Sequence, residues 1–141
     1  MIPEDVALVR ASWALVVPIA DTAASMFYER LFVLDPSLRP LFASTEPAAQ
    51  RRKLVQALAM AVASLNQLDA LAPTLEALGR RHSGYGVNDA HYDTVGQALI
   101  DTLERGLGAA WTSETAAAWT KAYGIVASIM KRAQAAAPIA A

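Results

Sequence analysis

The sequence predicts an all-α fold. Three observations carry that prediction. Apolar residues recur at helical spacing along nearly all of the 141 residues. Alanine, the strongest helix former and a residue depleted in strands, occurs 31 times. No segment alternates apolar and polar residues strictly enough to read as a strand.

Each element follows from its own stripe and its own ends. Val6, Val9, Trp13, Val16 and Val17 form the first stripe, with Pro3, Glu4 and Asp5 suited to a first turn. Pro18 ends or kinks that helix, because it lacks an N–H and its ring crowds the preceding turn. A second helix spans about Ile19 to Leu34, with Phe27, Leu31 and Leu34 on one face and Tyr28 and Phe32 beside it. Asp35-Pro36 starts a short helical turn through Leu41 and Phe42. Ala43 to Pro47 reads as a loop in which Ser44 or Thr45 caps the next helix. That helix runs to about Leu65 and turns Leu54, Ala57, Leu58, Ala61 and Leu65 inward. Leu71, Leu75 and Leu78 mark another face, which stops at Gly84 and Gly86. Asn88-Asp89 caps a helix carrying Tyr92, Val95, Leu99 and Leu103, closed by Gly106 and Gly108. Thr112 or Ser113 caps the last helix, whose face is Trp119, Ala122, Tyr123, Val126, Ile129 and Met130. The tail from about Ala135 is expected to fray. The expectation is six or seven helices in one domain over residues 1–141.

Composition removes several function classes. Twelve basic residues against thirteen acidic ones give a net charge of -1, which excludes a strong nucleic-acid footprint. There is no cysteine, so disulfides, iron–sulfur clusters and thiol chemistry are excluded. Mean hydropathy is +0.28, yet the charge-free stretch from Leu54 to Leu68 contains Gln56, Ser64, Asn66 and Gln67. It is too short and too polar to span a bilayer. The start, Met1-Ile2-Pro3-Glu4-Asp5, is acidic where a signal peptide is basic. These features predict a cytoplasmic protein that acts on neither membranes nor nucleic acid.

Two polar residues extend apolar faces. The Leu71, Leu75, Leu78 stripe continues four residues on to His82, and four residues before Leu54 stands Gln50. A buried polar group without a partner costs about 1–3 kcal/mol, so both must be satisfied inside. Two readings are open. In one, His82 is a core histidine bonded to a backbone carbonyl and Gln50 is an ordinary first-turn residue. In the other, the gap between the two helices holds an iron porphyrin. Such a group needs one axial ligand, an apolar slot and cations at the rim for its propionates. His82 supplies the ligand there, with its second ring nitrogen donating to the Leu78 carbonyl. Lys53, Arg80 and Arg81 lie near the edges, although each also reads as a solvated charge. His91, the other histidine, reads as a surface residue. A haem-free helical interaction module is the remaining class, against which the inward His82 and Gln50 both argue.

The residues resemble a globin from about Glu4 to about Met130. The likeness is closest to bacterial single-domain haemoglobins and the globin part of flavohaemoglobins. Phe27-Tyr28 followed by Asp35-Pro36-Ser37-Leu38-Arg39-Pro40-Leu41-Phe42 resembles that family's second helix, its short Pro-started helix and its inter-helix Phe. Gln50-Arg51-Arg52-Lys53-Leu54 resembles the start of the distal helix, and Leu78-Gly79-Arg80-Arg81-His82 the end of the proximal one. Tyr85-Gly86-Val87 with His91-Tyr92, and Trp119-Thr120-Lys121-Ala122-Tyr123-Gly124, resemble the turn and last helix of the flavohaemoglobin type.

The resemblance implies a three-over-three helical sandwich around a haem. It implies His82 as proximal iron ligand and Tyr28, Gln50 and Leu54 as the distal trio. It implies that Phe42 wedges against the haem, that Leu78 and Val87 pack on it, and that Tyr92 helps hold the proximal side. Lys53 and Arg81 become candidates for the propionates. Without cysteine the cofactor implied is haem b, held non-covalently. The implied function is reversible oxygen binding, with nitric oxide and carbon monoxide as further ligands. The alternatives are a nitric oxide dioxygenase fed by a separate reductase and a haem-based gas sensor. The 141 residues contain no reductase sequence, and Lys131 to Gln134 lacks the acidic residue that flavohaemoglobins carry there.

Overall fold

The first helix, α1 (Pro3–Val16), begins as its sequence dictates, with Pro3 at the first position and Glu4 and Asp5 in the positively polarised first turn. The computed structural model of the chain describes residues 2–42, 45–84 and 89–136. Pro18 breaks the α ladder, and Val17–Ile19 forms a 3-10 turn from which α2 (Ala20–Leu34) departs. Asp35 has extended backbone, as a residue before proline prefers. Its carboxylate accepts from the Ser37 amide at 3.0 Å and starts the 3-10 turn Pro36–Phe42.

The cap of α3 (Pro47–Ala63) differs from expectation. Glu46, not Ser44 or Thr45, is the capping residue, its carboxylate accepting from the Ala48 and Ala49 amides at 3.0 and 2.8 Å. These two donors hold the Glu46 carboxyl below its usual pKa. The Thr45 hydroxyl donates instead to the Phe42 carbonyl at 2.8 Å. Next come α4 (Leu68–Gly84), with Pro73 near its start, and α5 (Asp89–Leu107). Gly108 has a φ of +53°, the left-handed geometry that favours glycine, and closes α5 into a 3-10 turn, Gly108–Ala110. Thr112 caps α6 (Ser113–Ala136), its hydroxyl oxygen accepting from the Thr115 amide at 3.1 Å. The helix thus passes Ala135 before leaving the described residues.

The helices pack as two layers of three. In one, α5 lies between α2 and α6, touching both. In the other, α1 and α3 pack together, α1 also resting on α5 and α6 and α3 on α2, while α4 rests on α6. Among the described residues there is no strand. Val9, Leu31, Ala98 and Ala118 are the most deeply buried apolar residues of the main core. Trp13 and Trp119 meet inside it, and the Trp119 indole N–H donates to the Ser12 hydroxyl at 2.8 Å. Pro3–Leu34 is long and apolar enough to cross a membrane by length and composition. Here it is bent at Pro18, and it sends Val9, Trp13, Phe27 and Leu31 into the core.

One feature of the packing bears directly on the site. Among the described residues, the buried apolar ones form two clusters rather than one. The larger joins α1, α2, α3, α5 and α6, with Leu38 of the 3-10 turn after α2; the smaller consists of Leu75, Tyr92, Ala127 and Met130. Tyr123 packs against both. Among the described residues, the consecutive helices α3 and α4 do not pack closely on one another.

Candidate functional site

The two clusters divide the expected site residues between them. Tyr28, Phe42 and Leu54 pack against the larger cluster, while Tyr92 belongs to the smaller one and Leu78 packs against it. Gln50 stands beside Tyr28. The division follows from local geometry. Phe27 and Tyr28 are about a hundred degrees apart around α2. Phe27 is therefore buried and Tyr28, at the flank, is only half-buried. The Glu46 cap sets where α3 begins, and the Gln50 amide makes an early bond of the helix, to the Glu46 carbonyl at 3.0 Å. Gln50 thus sits one turn in, and its side chain reaches α2.

There it meets Tyr28. Gln50 Nε2 donates to Tyr28 Oη at 3.1 Å. The tyrosine's own proton remains to be given to a third group. Burial pushes the Tyr28 pKa above its ordinary value, against the smaller opposing effect of the Gln50 bond, so the phenol stays protonated. Its ring is fixed by edge-to-face contacts, with Phe27 at 5.0 Å and Phe42 at 5.5 Å between centroids. Phe32 completes the set, 5.8 Å from Phe42, and the Arg39 guanidinium lies 4.6 Å above the Phe32 ring. Phe32 and Arg39 were not singled out from sequence, although Phe32 stands four residues after Tyr28 on the same helical face.

The helix carrying Gln50 is tied at both ends. Arg51 pairs with Asp21 of α2 at 2.9 Å. At the other end, Arg10 of α1 donates to the Val62 and Ala63 carbonyls at 3.3 and 2.9 Å and to Asn66 Oδ1 at 3.0 Å. The last carbonyls of α3 thereby gain the cationic donor that helix ends favour.

On the opposite side Tyr92 is 5% exposed. The Tyr123 hydroxyl donates to the Tyr92 carbonyl at 2.6 Å. Burial, then Tyr92 and Asp93, push the Tyr123 pKa far above its ordinary value. The Lys131 ammonium stands 5.5 Å from the Tyr92 ring centroid and 3.9 Å from an Asp93 oxygen. Gly96 lets this arrangement close, because a Cβ there would come within 2.8 Å of the Tyr123 ring.

The backbone of His82 lies in the last turn of α4, but its side chain is outside the described residues, as is all of Val87. Leu78 is half-buried one turn before it. Lys53 and Arg81 are exposed. His91 is half-buried rather than fully at the surface. Among the described residues no group of three or more His, Asp or Glu side chains could hold a bare metal ion.

The arrangement offers two donors and a ring of aromatic edges, and α4 carries position 82 in its last turn. Known proteins share this arrangement of helices. The sequence model of the globin family matches residues 25–130. A flavohemoprotein of Bacillus subtilis (strain 168) is 34% identical over 109 residues, 76% of this chain and 27% of that protein. The chain therefore spans about a quarter of that relative's length. Among solved structures, a hexacoordinated heme protein from an anhydrobiotic tardigrade superposes with a TM-score of 0.84 at 16% identity, covering 96% of each chain. A bacterial globin from Campylobacter jejuni also gives 0.84, at 20% identity, over 95% of this chain and 96% of that one. With the family's pattern running from the middle of α2 through most of α6, the chain belongs to the globin family.

Proposed function

We propose that the chain holds one non-covalent haem b between α3 and α4 and binds oxygen reversibly at a His82-ligated iron. The observation that carries this reading is the divided core. Two buried clusters meet through Tyr123, and among the described residues the helices bearing Gln50 and His82 make no close packing with each other. Phe42, Leu54 and Leu78 are large apolar residues left only half-buried. Leaving such surface wet forgoes roughly 25 cal/mol for every Å² that a flat apolar group would cover. The heme protein and flavohemoprotein among the similar proteins support the same cofactor.

When bound, haem supplies an iron centre that takes diatomic ligands and polarises them. The chain's residues do the rest. His82 holds the group from the α4 side, and Tyr92 and Leu78 pack that side. Tyr28 presents an O–H that its raised pKa keeps protonated, and Gln50 both orients that hydroxyl and offers an N–H of its own. Donors fixed in an apolar surrounding favour a ligand carrying partial negative charge over a neutral one. Leu54 and Phe42 keep water out. Lys53 and Arg81, both exposed, are the proposed partners of the propionates.

Haemin titration of the purified chain tests this reading. It expects one equivalent bound, a histidine-ligated ferrous spectrum, and a reversible change on exposure to oxygen. A chain that takes up no haem would overturn it. The match to a flavohemoprotein favours a second reading, dioxygenation of nitric oxide with electrons from a separate reductase. Nitrate formation in the presence of a reductase distinguishes the two.

A further inference from the structure

One residue meets the amides that open α3. Pro47, at the first position, has none to offer. The Glu46 carboxylate accepts from Ala48 and Ala49 at 3.0 and 2.8 Å, and the Glu46 carbonyl accepts from Gln50 at 3.0 Å. The sequence enforces this start. A residue before proline is pushed toward extended backbone, and Glu46, with φ −78° and ψ 125°, has the backbone of a cap. The competing cap, Thr45, is engaged elsewhere. Its amide and its hydroxyl both donate to the Phe42 carbonyl, at 3.1 and 2.8 Å.

The two flanks of this cap converge on one side chain. Four residues before Glu46, the Phe42 ring stands edge-on to Tyr28, centroids 5.5 Å apart. Four residues after it, Gln50 Nε2 donates to Tyr28 Oη at 3.1 Å. Glu46 itself is exposed at the surface. A first turn without its cap frays, because its amides lose their acceptors. Arg51 is held to Asp21 of α2 at 2.9 Å, so the stretch that a lost cap would loosen ends at Gln50. The residue most affected by the cap is therefore the one that orients the tyrosine.

We propose that Glu46 is a positioning residue of the distal site: by fixing the first turn of α3 it aims the Gln50 amide at Tyr28, and through it the Tyr28 hydroxyl at the bound gas. The aim of Gln50 stands on the hydrogen bonds alone; its effect on oxygen rests on the haem reading. The coupling is bounded by the cap. Replacing a capping side chain by alanine shifts a helix equilibrium by about fivefold, and Gln50 can lose no more than that.

In haem-loaded protein, Glu46→Ala should speed oxygen release by up to about fivefold, and carbon monoxide release far less. Glu46→Asp, which keeps a capping carboxylate, should restore the wild-type rate. Arg10→Ala controls for simple loosening of the helix. It frees the other end of α3, about 20 Å from Gln50 along the axis, and should lower the urea midpoint while leaving oxygen release unchanged. An unchanged oxygen rate in Glu46→Ala, or an equal rise in Arg10→Ala, would overturn the positioning role. If the chain takes up no haem, the proposed function falls, and the aim of Gln50 is read from Tyr28 itself. The Gln50 bond lowers the Tyr28 pKa against the larger effect of burial. In NMR of the chain with carbon-labelled tyrosine, Glu46→Ala should then raise the Tyr28 titration, as Gln50→Leu does. A titration that Glu46→Ala leaves in place would overturn the proposal in that case too.

Discussion

Gln50 Nε2 donates to the hydroxyl oxygen of Tyr28 at 3.1 Å, so the tyrosine meets its neighbour as an acceptor and keeps its own proton to give. The amide thereby fixes the direction of the phenol. A donor already pointed costs less to recruit than one that must be ordered when the ligand arrives.

Removing that donor should speed oxygen release. Hydrogen bonds to charged groups contribute about 1.5–3 kcal/mol, so Tyr28→Phe should raise the oxygen dissociation rate roughly ten- to a hundredfold. Carbon monoxide carries little charge when bound, so its release should change far less. Gln50→Leu should show the same contrast more weakly. Stopped-flow displacement decides, and an unchanged oxygen rate in Tyr28→Phe would make Tyr28 a packing residue.

His82→Ala should lose most haem retention, because the proposed reading gives that imidazole the axial bond to iron and alanine has no ligand atom. Haemin titration followed by transfer to a scavenging apoprotein measures this. A variant with an unaltered histidine-ligated spectrum would move the ligand elsewhere in the chain.

Gly96→Ala places a Cβ against the Tyr123 ring, whose hydroxyl holds the Tyr92 carbonyl. Overpacking of this kind costs typically about 1–3 kcal/mol. Urea unfolding should show a loss in that range, and Gly96→Ala should cost less in a chain where Tyr123 is already alanine. Simple additivity of the two losses would show that the ring and the glycine are not in contact.

Stability should fall at high pH. Tyr123 keeps its proton in the folded chain above the ordinary value of 10.0. An unfolded chain releases that proton sooner, so the stabilising contribution is complete below the ordinary value and drains as pH climbs toward the raised one. Tyr28, shifted the same way, adds to the effect. Urea midpoints recorded upward from neutral pH should begin to drop near the ordinary tyrosine pKa. In Tyr123→Phe the starting midpoint should be lower and the drop shallower; an equally steep drop would assign the alkaline loss to other groups.

Much of the fold is legible because it is local. The stripe through Val9, Trp13 and Val16 and the break at Pro18 need only neighbours in sequence, and both stand as read. Counting back one turn from Leu54 finds Gln50. What counting cannot find is its partner, since Tyr28 lies 22 residues away on another helix. Glu46 was overlooked because Ser and Thr are the commoner caps. Its signal was a carboxylate placed directly before a proline at the first helical position. Arg10 looks like any surface arginine until α1 is laid along the end of α3, 53 residues distant. Gly96 likewise reads as an indifferent helical glycine until Tyr123 is seen against it.

The clasp between α1 and α6 joins residues very far apart in the chain: Trp119 bonds to Ser12 across 107 residues, and Lys121 to Asp5 across 116. Contacts of such separation cannot form until the segment through Lys121 has left the ribosome. The first helix must wait until then with its Trp13 face uncovered. Helix-by-helix folding in order of emergence is therefore closed to this half of the core. A nascent chain stalled before Trp119 would expose the surface that most invites aggregation or a chaperone.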